Sequence, residues 1–226
     1  GTQTPIAALI LDLPPRGAFM QQLNVTQFLH EFGHLLHDLF AGHQSWYNNA
    51  GANNERDFIE APSTLLEAWL WNYDFLSTIA INRDGDVLPP DLFGRMKGSR
   101  DFGRGLQRST LIYLSALSLE LHLRDPEDID FEELDRELQK RFSVFGEVDE
   151  LHYYASFGHL LSYSAMYYTY IWSDVIATDM LTKFESSGLR DRDVWRQYRA
   201  TVLAPGTSKP AETLVTEFLG RPIRFD

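Results

Sequence analysis

The pair His30 and His34, with Glu31 directly after the first histidine, is the part of this sequence best suited to chemistry. Residues four apart lie one above the other on a helical face, so these two imidazoles can bind one Zn²⁺ ion. Glu31 then lies close enough to accept the proton of a metal-bound water. The spacing therefore predicts a zinc site with a general base. The alternative is a core helix in which two histidines happen to fall at this spacing.

The residues around the histidine pair predict the helix that must hold it. Apolar side chains recur at helical spacing on both sides of the pair, at Phe28, Leu29, Phe32, Leu35, Leu36, Leu39 and Phe40. Asn24, followed three residues later by Gln27, is typical of a helix start, and Gly42 is typical of a helix end. We therefore expect a helix over residues 24–41.

A catalytic zinc site needs a third protein ligand, and the spacing of the residues leaves the choice open. His37 lies about 10 Å further along the helix axis than His30, whereas zinc–nitrogen bonds are about 2 Å long, so we expect it to pack or to form a hydrogen bond. The chain has no cysteine, which excludes a thiolate site. Glu60 and Glu67 remain, near the start of a second predicted helix that has Pro62 in its first turn. The alternative for either glutamate is a solvated surface charge.

Two strings of this sequence resemble motifs of the thimet oligopeptidase family of zinc metallopeptidases, which includes oligopeptidase A and the bacterial peptidyl-dipeptidases. The first string is H-E-F-G-H at residues 30–34, and the second is D-F-I-E-A-P-S at residues 57–63. The family has valine where Ile59 stands in the second string.

The resemblance assigns roles to individual residues of these two strings. It implies that one zinc ion is bound by His30, His34 and Glu60. It also implies that Glu31 is the catalytic base, which leaves Asp57 and Glu67 as candidates for orienting the imidazoles.

A tyrosine-rich segment at residues 157–175 resembles a third block of the same family. Tyr163, Tyr167 and Tyr170 are spaced by four and three, so they are predicted to share one helical face. The alternative is a set of core tyrosines whose hydroxyls reach the rim. The resemblance implies that Tyr170 donates to the oxyanion of the reaction with help from His159, and that Tyr163 and Tyr167 contact the substrate.

Composition and charge limit the partners and the compartment. The formal net charge is −12 and no basic stripe exists to neutralise phosphates, so a nucleic acid partner is not expected. No apolar run is long enough to span a membrane. The absence of cysteine fits a reducing compartment, and we expect a cytoplasmic protein.

The patterns predict a mainly α-helical fold with a short N-terminal edge strand at residues 5–13. Further helices are expected near residues 61–81, 104–123, 130–142, 150–155, 160–186, 191–203 and 210–219. Residues 48–54 are predicted to form a loop between the two zinc-ligand segments, as a gate or as a plain connector, and residues 82–105 to cross the surface. The patterns do not divide into two cores, so one domain is expected over residues 1–226.

The family resemblance covers nearly the whole chain but only the C-terminal catalytic part of a longer, two-lobed enzyme. It implies hydrolysis of peptide bonds in short oligopeptides, with the N-terminal lobe of the same enzyme as a missing partner. One alternative is a zinc carboxypeptidase of related architecture. Another is a non-catalytic or partner-dependent fragment that binds zinc or peptide.

Overall fold

The structure is a computed structural model that describes residues 4–145 and 152–224, and these residues are mainly helical. The mainly α fold class is therefore confirmed. The α-helices are α1 (Gln22–Ala41), α2 (Ala61–Glu67), α3 (Tyr73–Leu76), α4 (Pro90–Ser99), α5 (Arg104–Leu123), α6 (Phe131–Phe142), α7 (Tyr153–Ser156), α8 (His159–Ser162), α9 (Thr169–Ser187), α10 (Arg192–Tyr198) and α11 (Ala211–Leu219). A π-helical turn at Arg199–Leu203 continues α10. No helix in this part of the chain is both long and apolar enough to cross a membrane.

Helix α4 lies within residues 82–105, the stretch that is predicted to cross the surface and for which no helix is predicted. Its first residue is Pro90, and proline is compatible with the first turn of a helix because the missing N–H has no partner there. Asp91 follows in the first turn, where a negative charge is favourable. Most residues of α4 are exposed, so this stretch does lie at the surface, but its prolines and glycines gave no indication of a helix.

Two of the predicted helices are interrupted. The helix predicted over residues 61–81 becomes a 3₁₀ turn at Ala68–Trp71 and restarts at α3, where the side chain of Asn72 accepts a hydrogen bond from the Phe75 N–H at 2.9 Å. The helix predicted over residues 160–186 begins as α9 only at Thr169. Of the helix predicted near residues 150–155, residues 150 and 151 lie outside the described part of the chain.

The predicted N-terminal edge strand is not present in the described residues. Residues 4–14 are assigned neither to helix nor to strand, although Ile6 and Ile10 are 89% and 90% exposed and the residues between them alternate in exposure. The described residues contain a single isolated bridge, Ile81–Val87, and no strand beside the N-terminal segment. The strand prediction was wrong because an alternating pattern favours an extended chain, whereas a strand also needs a hydrogen-bonded neighbour.

The chain divides into two compact units, each with its own core. Unit one comprises residues 1–97 and 173–226, and unit two comprises residues 98–172. The larger core of unit one includes Phe58, Leu65, Met180, Phe184, Leu214 and Phe218. The core of unit two includes Tyr113, Leu114, Leu117, Leu134, Leu138 and Phe157. A single catalytic region over residues 1–226 stays a prediction, because compactness does not show whether the units act together.

Candidate metal centre and aromatic cluster

Helices α1 and α2 approach each other closely at Gly33. A Cβ atom on Gly33 would lie 2.6 Å from the Cα of Ser63 and 3.1 Å from the carbonyl oxygen of Pro62. Real side chains do not tolerate the shorter distance, so glycine permits an approach that alanine would not. Because Gly33 precedes His34, and Ser63 follows Glu60 by three residues, this contact brings the two motifs together.

His30, His34 and Glu60 are brought together into one cluster of possible metal ligands. The Oε2 atom of Glu60 lies 3.1 Å from Nε2 of His30 and 3.0 Å from Nε2 of His34. Ligand atoms from the three residues all lie within 4.8 Å of one another, and Glu60 is only 4% exposed. Two imidazole nitrogens and one carboxylate oxygen are a usual donor set for catalytic zinc. The residues therefore fit a zinc ion.

Further hydrogen bonds orient the atoms of this cluster. Oε1 of Glu67 lies 2.7 Å from Nδ1 of His30, which leaves Nε2 of His30 for Glu60. Ser63 Oγ donates to the carbonyl oxygen of Glu60 at 2.8 Å and lies 3.4 Å from its Oε2. A carboxylate on the second nitrogen of a metal-binding histidine fixes its tautomer and ring orientation. The predicted contact of Glu67 with the site is confirmed, while the role of Asp57 stays a prediction.

The pKa values of two histidines of α1 shift in opposite directions. Burial by itself would lower the pKa of His30, but hydrogen bonds to Glu60 and Glu67 outweigh it and raise the pKa from 6.5 to about 9. Without metal, His30 therefore carries a proton at neutral pH, and metal binding must displace that proton. At His37, burial lowers the pKa to about 4, and the nearby His34 acts in the same direction.

His37 packs in the core, and Glu31 faces solvent. The His37 ring is fully buried, with its centroid 6.3 Å from that of Phe58 in an edge-to-face arrangement. The expectation that His37 packs is confirmed. Glu31 is exposed on α1 beside His30 and is not part of the ligand cluster. An exposed carboxylate next to the cluster can exchange protons with water, but its role as the base stays a prediction.

The loop between the two ligand segments is anchored to the 3₁₀ turn at Gly206–Ser208. Asn54 Nδ2 donates to the carbonyl oxygen of Gly206 at 2.8 Å, and Thr207 Oγ1 donates to the carbonyl oxygen of Asn48 at 3.0 Å. Asn54 is buried. Of the two interpretations of residues 48–54, these contacts favour an ordered connector over a moving gate.

The four aromatic residues singled out in unit two form a cluster of their own. The ring centroid of His159 lies 5.7 Å from that of Tyr163, 5.2 Å from that of Tyr167 and 6.0 Å from that of Tyr170. Tyr167 is buried, and burial together with Tyr170 raises the pKa of Tyr167 to about 12. Its phenol is therefore neutral and able to donate a hydrogen bond at any physiological pH.

A turn at Ser164, and not one continuous helical face, gathers these rings. Ser164 has φ of 53°, which is the left-handed region that a non-glycine residue seldom adopts. The buried Ser118 Oγ of α5 donates a hydrogen bond to the carbonyl oxygen of Ser164. The prediction that Tyr163, Tyr167 and Tyr170 share one helical face was wrong, because the helix is interrupted between α8 and α9. No sequence motif indicates Ser118, which lies 46 residues away from its partner.

Two histidines on one helix and a glutamate directly before a second helix form a ligand set that is typical of a helical metallopeptidase site. The sequence matches peptidase family M3 over residues 1–225, and the chain belongs to that family. The resemblance seen in the three sequence blocks is thereby confirmed.

Similar proteins carry names that describe peptidases. The chain is 29% identical to organellar oligopeptidase A, chloroplastic/mitochondrial, of Arabidopsis thaliana, over 96% of this chain and 29% of that protein. It is 29% identical to probable cytosolic oligopeptidase A of the same plant, over 96% of this chain and 33% of that protein. It is also 29% identical to dipeptidyl carboxypeptidase of Escherichia coli, over 88% of this chain and 30% of that protein. The chain thus spans about a third of the length of these relatives.

Proposed function

We propose that this chain is the catalytic part of a zinc-dependent peptidase that hydrolyses peptide bonds in short oligopeptides. The observation that carries the proposal is the cluster of His30, His34 and Glu60, whose ligand atoms lie within 4.8 Å of one another in a member of a peptidase family. Because the chain spans about a third of its relatives, the remaining lobe of a longer enzyme is proposed as its partner.

The metal would be held by the Nε2 atoms of His30 and His34 and by the carboxylate of Glu60. Zinc, when bound, supplies a Lewis acid for the scissile carbonyl and for the attacking water. The hydrogen bonds from Glu67 to His30 and from Ser63 to Glu60 hold these ligands in position, so less rearrangement is needed on binding.

Glu31 would move the proton in this reaction. It accepts a proton from the attacking water while the oxygen bonds to the carbonyl carbon, and it passes that proton to the leaving amine as the carbon–nitrogen bond breaks. Support comes from the position of Glu31, which is exposed to solvent beside His30 and is not engaged in the ligand cluster.

The aromatic cluster would bind substrate and stabilise charge. Tyr170 donates a hydrogen bond to the carbonyl oxygen as it gains negative charge, and His159 assists. Tyr163 and Tyr167 contact the substrate. The mutual ring contacts and the neutral phenol of Tyr167 support this assignment, since a neutral donor at a preset position costs little to use.

The products of the reaction separate the remaining alternatives. The relative named dipeptidyl carboxypeptidase favours release of C-terminal dipeptides as the second candidate reaction, and release of single residues would indicate a zinc carboxypeptidase of related architecture. The third alternative is a non-catalytic or partner-dependent fragment that binds zinc or peptide. A cytoplasmic location stays a prediction, because one relative is named cytosolic and another organellar.

The deciding experiment is product analysis by mass spectrometry on a short peptide, with the complete protein, before and after removal of metal by a chelator. Cleavage should stop with the chelator and return with Zn²⁺. Glu31→Gln should keep its zinc and lose turnover by roughly 10²–10⁴-fold. Glu185→Gln, an exposed glutamate of α9, is the matched control and should behave as the parent. Undiminished cleavage by the metal-free protein would refute the zinc mechanism.

A further inference from the structure

The turn that carries Glu60 begins at Glu55. The carbonyl oxygen of Glu55 accepts hydrogen bonds from the N–H groups of Phe58 at 2.9 Å and of Ile59 at 3.1 Å. The next hydrogen bond of the turn runs from the Ala61 N–H to the carbonyl oxygen of Phe58 at 2.8 Å, where α2 begins. Because Glu60 follows directly on this turn, its position depends on the position of Glu55.

The side chain of Glu55 is bound to a helix 156 residues further along the chain. Its Oε1 atom accepts a hydrogen bond from the backbone N–H of Ala211, the first residue of α11, at 3.0 Å. Ala211 is buried, and the residue before it, Pro210, has no side chain that could accept this bond. The first N–H groups of a helix have no partner within the helix, and the helix dipole favours a negative charge there. Glu55 therefore serves as the capping residue of α11.

A second contact ties the same turn to α11. Phe58 is only 1% exposed and belongs to the same hydrophobic core as Leu214 and Phe218 of α11. A buried aromatic ring resists displacement, because moving it would return a large apolar area to water. The turn is thus held by a hydrogen bond at Glu55 and by core packing two residues before Glu60, and both contacts go to the same helix.

We propose that Glu55 is a positioning residue of the metal centre. Its bond to the start of α11 holds the turn that presents Glu60 to His30 and His34. The proposal rests on the proposed zinc site. Glu55 is itself exposed and is not part of the ligand cluster, so it acts through the turn and not on the metal. A ligand that is held in place before binding loses less conformational freedom on binding, and this hydrogen bond should therefore raise the affinity for zinc.

Zinc affinity of the complete protein, measured by competition with a chromophoric chelator, tests the proposal. Glu55→Ala should weaken zinc binding about fivefold, less than the roughly 10–100-fold typical of a residue that contacts a metal ligand directly. Glu55→Gln keeps an oxygen that can accept the bond from Ala211, so it should bind zinc nearly as the parent does. Glu212→Ala is the matched control, because Glu212 is an exposed acid in the first turn of α11 that is not part of the turn before Glu60. Its zinc affinity should equal that of the parent.

A second readout separates positioning from a general effect on stability. The visible absorption spectrum of the Co²⁺-loaded protein depends on the arrangement of the ligands around the ion. Glu55→Ala should change this spectrum, whereas Glu55→Gln and Glu212→Ala should keep that of the parent. Both alanine variants remove a favourable charge from the start of α11, so chemical denaturation of the metal-free proteins should show a lower midpoint for both.

Three results would overturn the proposal. The first is parent-like zinc affinity or an unchanged Co²⁺ spectrum in Glu55→Ala, which would leave capping of α11 as the role of Glu55. The second is an equal loss of affinity in Glu212→Ala, and the third is a Glu55→Gln variant that binds zinc as weakly as Glu55→Ala. A parent protein that binds neither Zn²⁺ nor Co²⁺ would refute the metal centre and this inference with it, so failure of the site itself is distinguishable from failure at Glu55.

Discussion

The candidate metal centre of unit one and the aromatic cluster of unit two are assembled in different ways. The histidines of the metal centre lie one turn apart on the regular helix α1, and Gly33 lets α2 bring Glu60 to them. The rings of the aromatic cluster meet across a break in the helix, where Ser164 adopts a left-handed conformation. Regular helical geometry thus positions the histidines of the metal centre, whereas a turn that costs conformational energy positions the rings of the aromatic cluster.

The largest expected effect separates the metal ligand from the residue that orients it. Glu60→Ala removes a proposed ligand and should weaken zinc binding more than a hundredfold. Glu67→Ala removes only the partner of His30 Nδ1 and should weaken it about 10–100-fold. Zinc retained after dialysis against a series of chelators measures both losses, with circular dichroism as the check of folding. Equal zinc retention by Glu60→Ala and the parent would remove Glu60 from the site.

The next effect tests whether the aromatic cluster acts on the transition state. Tyr170→Phe deletes one hydroxyl and should lower kcat of the complete protein about a hundredfold, or about 3 kcal/mol, with little change in KM. Tyr168→Phe, at an exposed neighbouring tyrosine, is the control and should leave both constants nearly unchanged. A raised KM at normal kcat would instead make Tyr170 a substrate contact.

A smaller effect tests the glycine contact of the metal centre. In Gly33→Ala the new Cβ would meet the Ser63 backbone, so α2 must shift. The free energy of unfolding should therefore fall by about 1–3 kcal/mol, and the affinity for zinc should also fall. Gly94→Ala on α4 is the control, because its new Cβ would meet no atom within 4 Å. This substitution should stabilise the protein slightly. Unchanged stability and zinc affinity in Gly33→Ala would show that the close approach is not needed.

The smallest effect tests the turn of the aromatic cluster. Ser164→Gly relieves the left-handed conformation and should raise the unfolding free energy by about 1 kcal/mol. Ser162→Gly, two residues earlier in α8, should lower it by about 0.5–1 kcal/mol, because that residue is helical. Chemical denaturation measures both changes. If the two variants shift stability in the same direction, the turn does not carry the strain assigned to it.

Helical periodicity was enough to predict the mainly α fold, α5 with its observed limits, and the placement of His30 and His34 on one face of α1. It was enough because spacings of three and four residues translate directly into one face of a helix. Spacing left the choice between Glu60 and Glu67 open, and only the family resemblance pointed to Glu60. The prediction of an N-terminal strand was wrong because a strand needs a hydrogen-bonded neighbour, and the presence of a neighbour is a property of the tertiary structure. Helix α4 was not predicted from the sequence, because a proline that interrupts a helix in its interior is compatible with its first turn.

The sequence by itself determined which residue types could bind a metal and which face of α1 carries them. Only the tertiary structure decided that Glu60 meets both histidines while Glu67 holds His30 from the other side. It alone also decided that Ser118 anchors the turn at Ser164. These contacts join residues 26 to 46 positions apart, and such pairings depend on how helices pack, which spacing along one helix does not record.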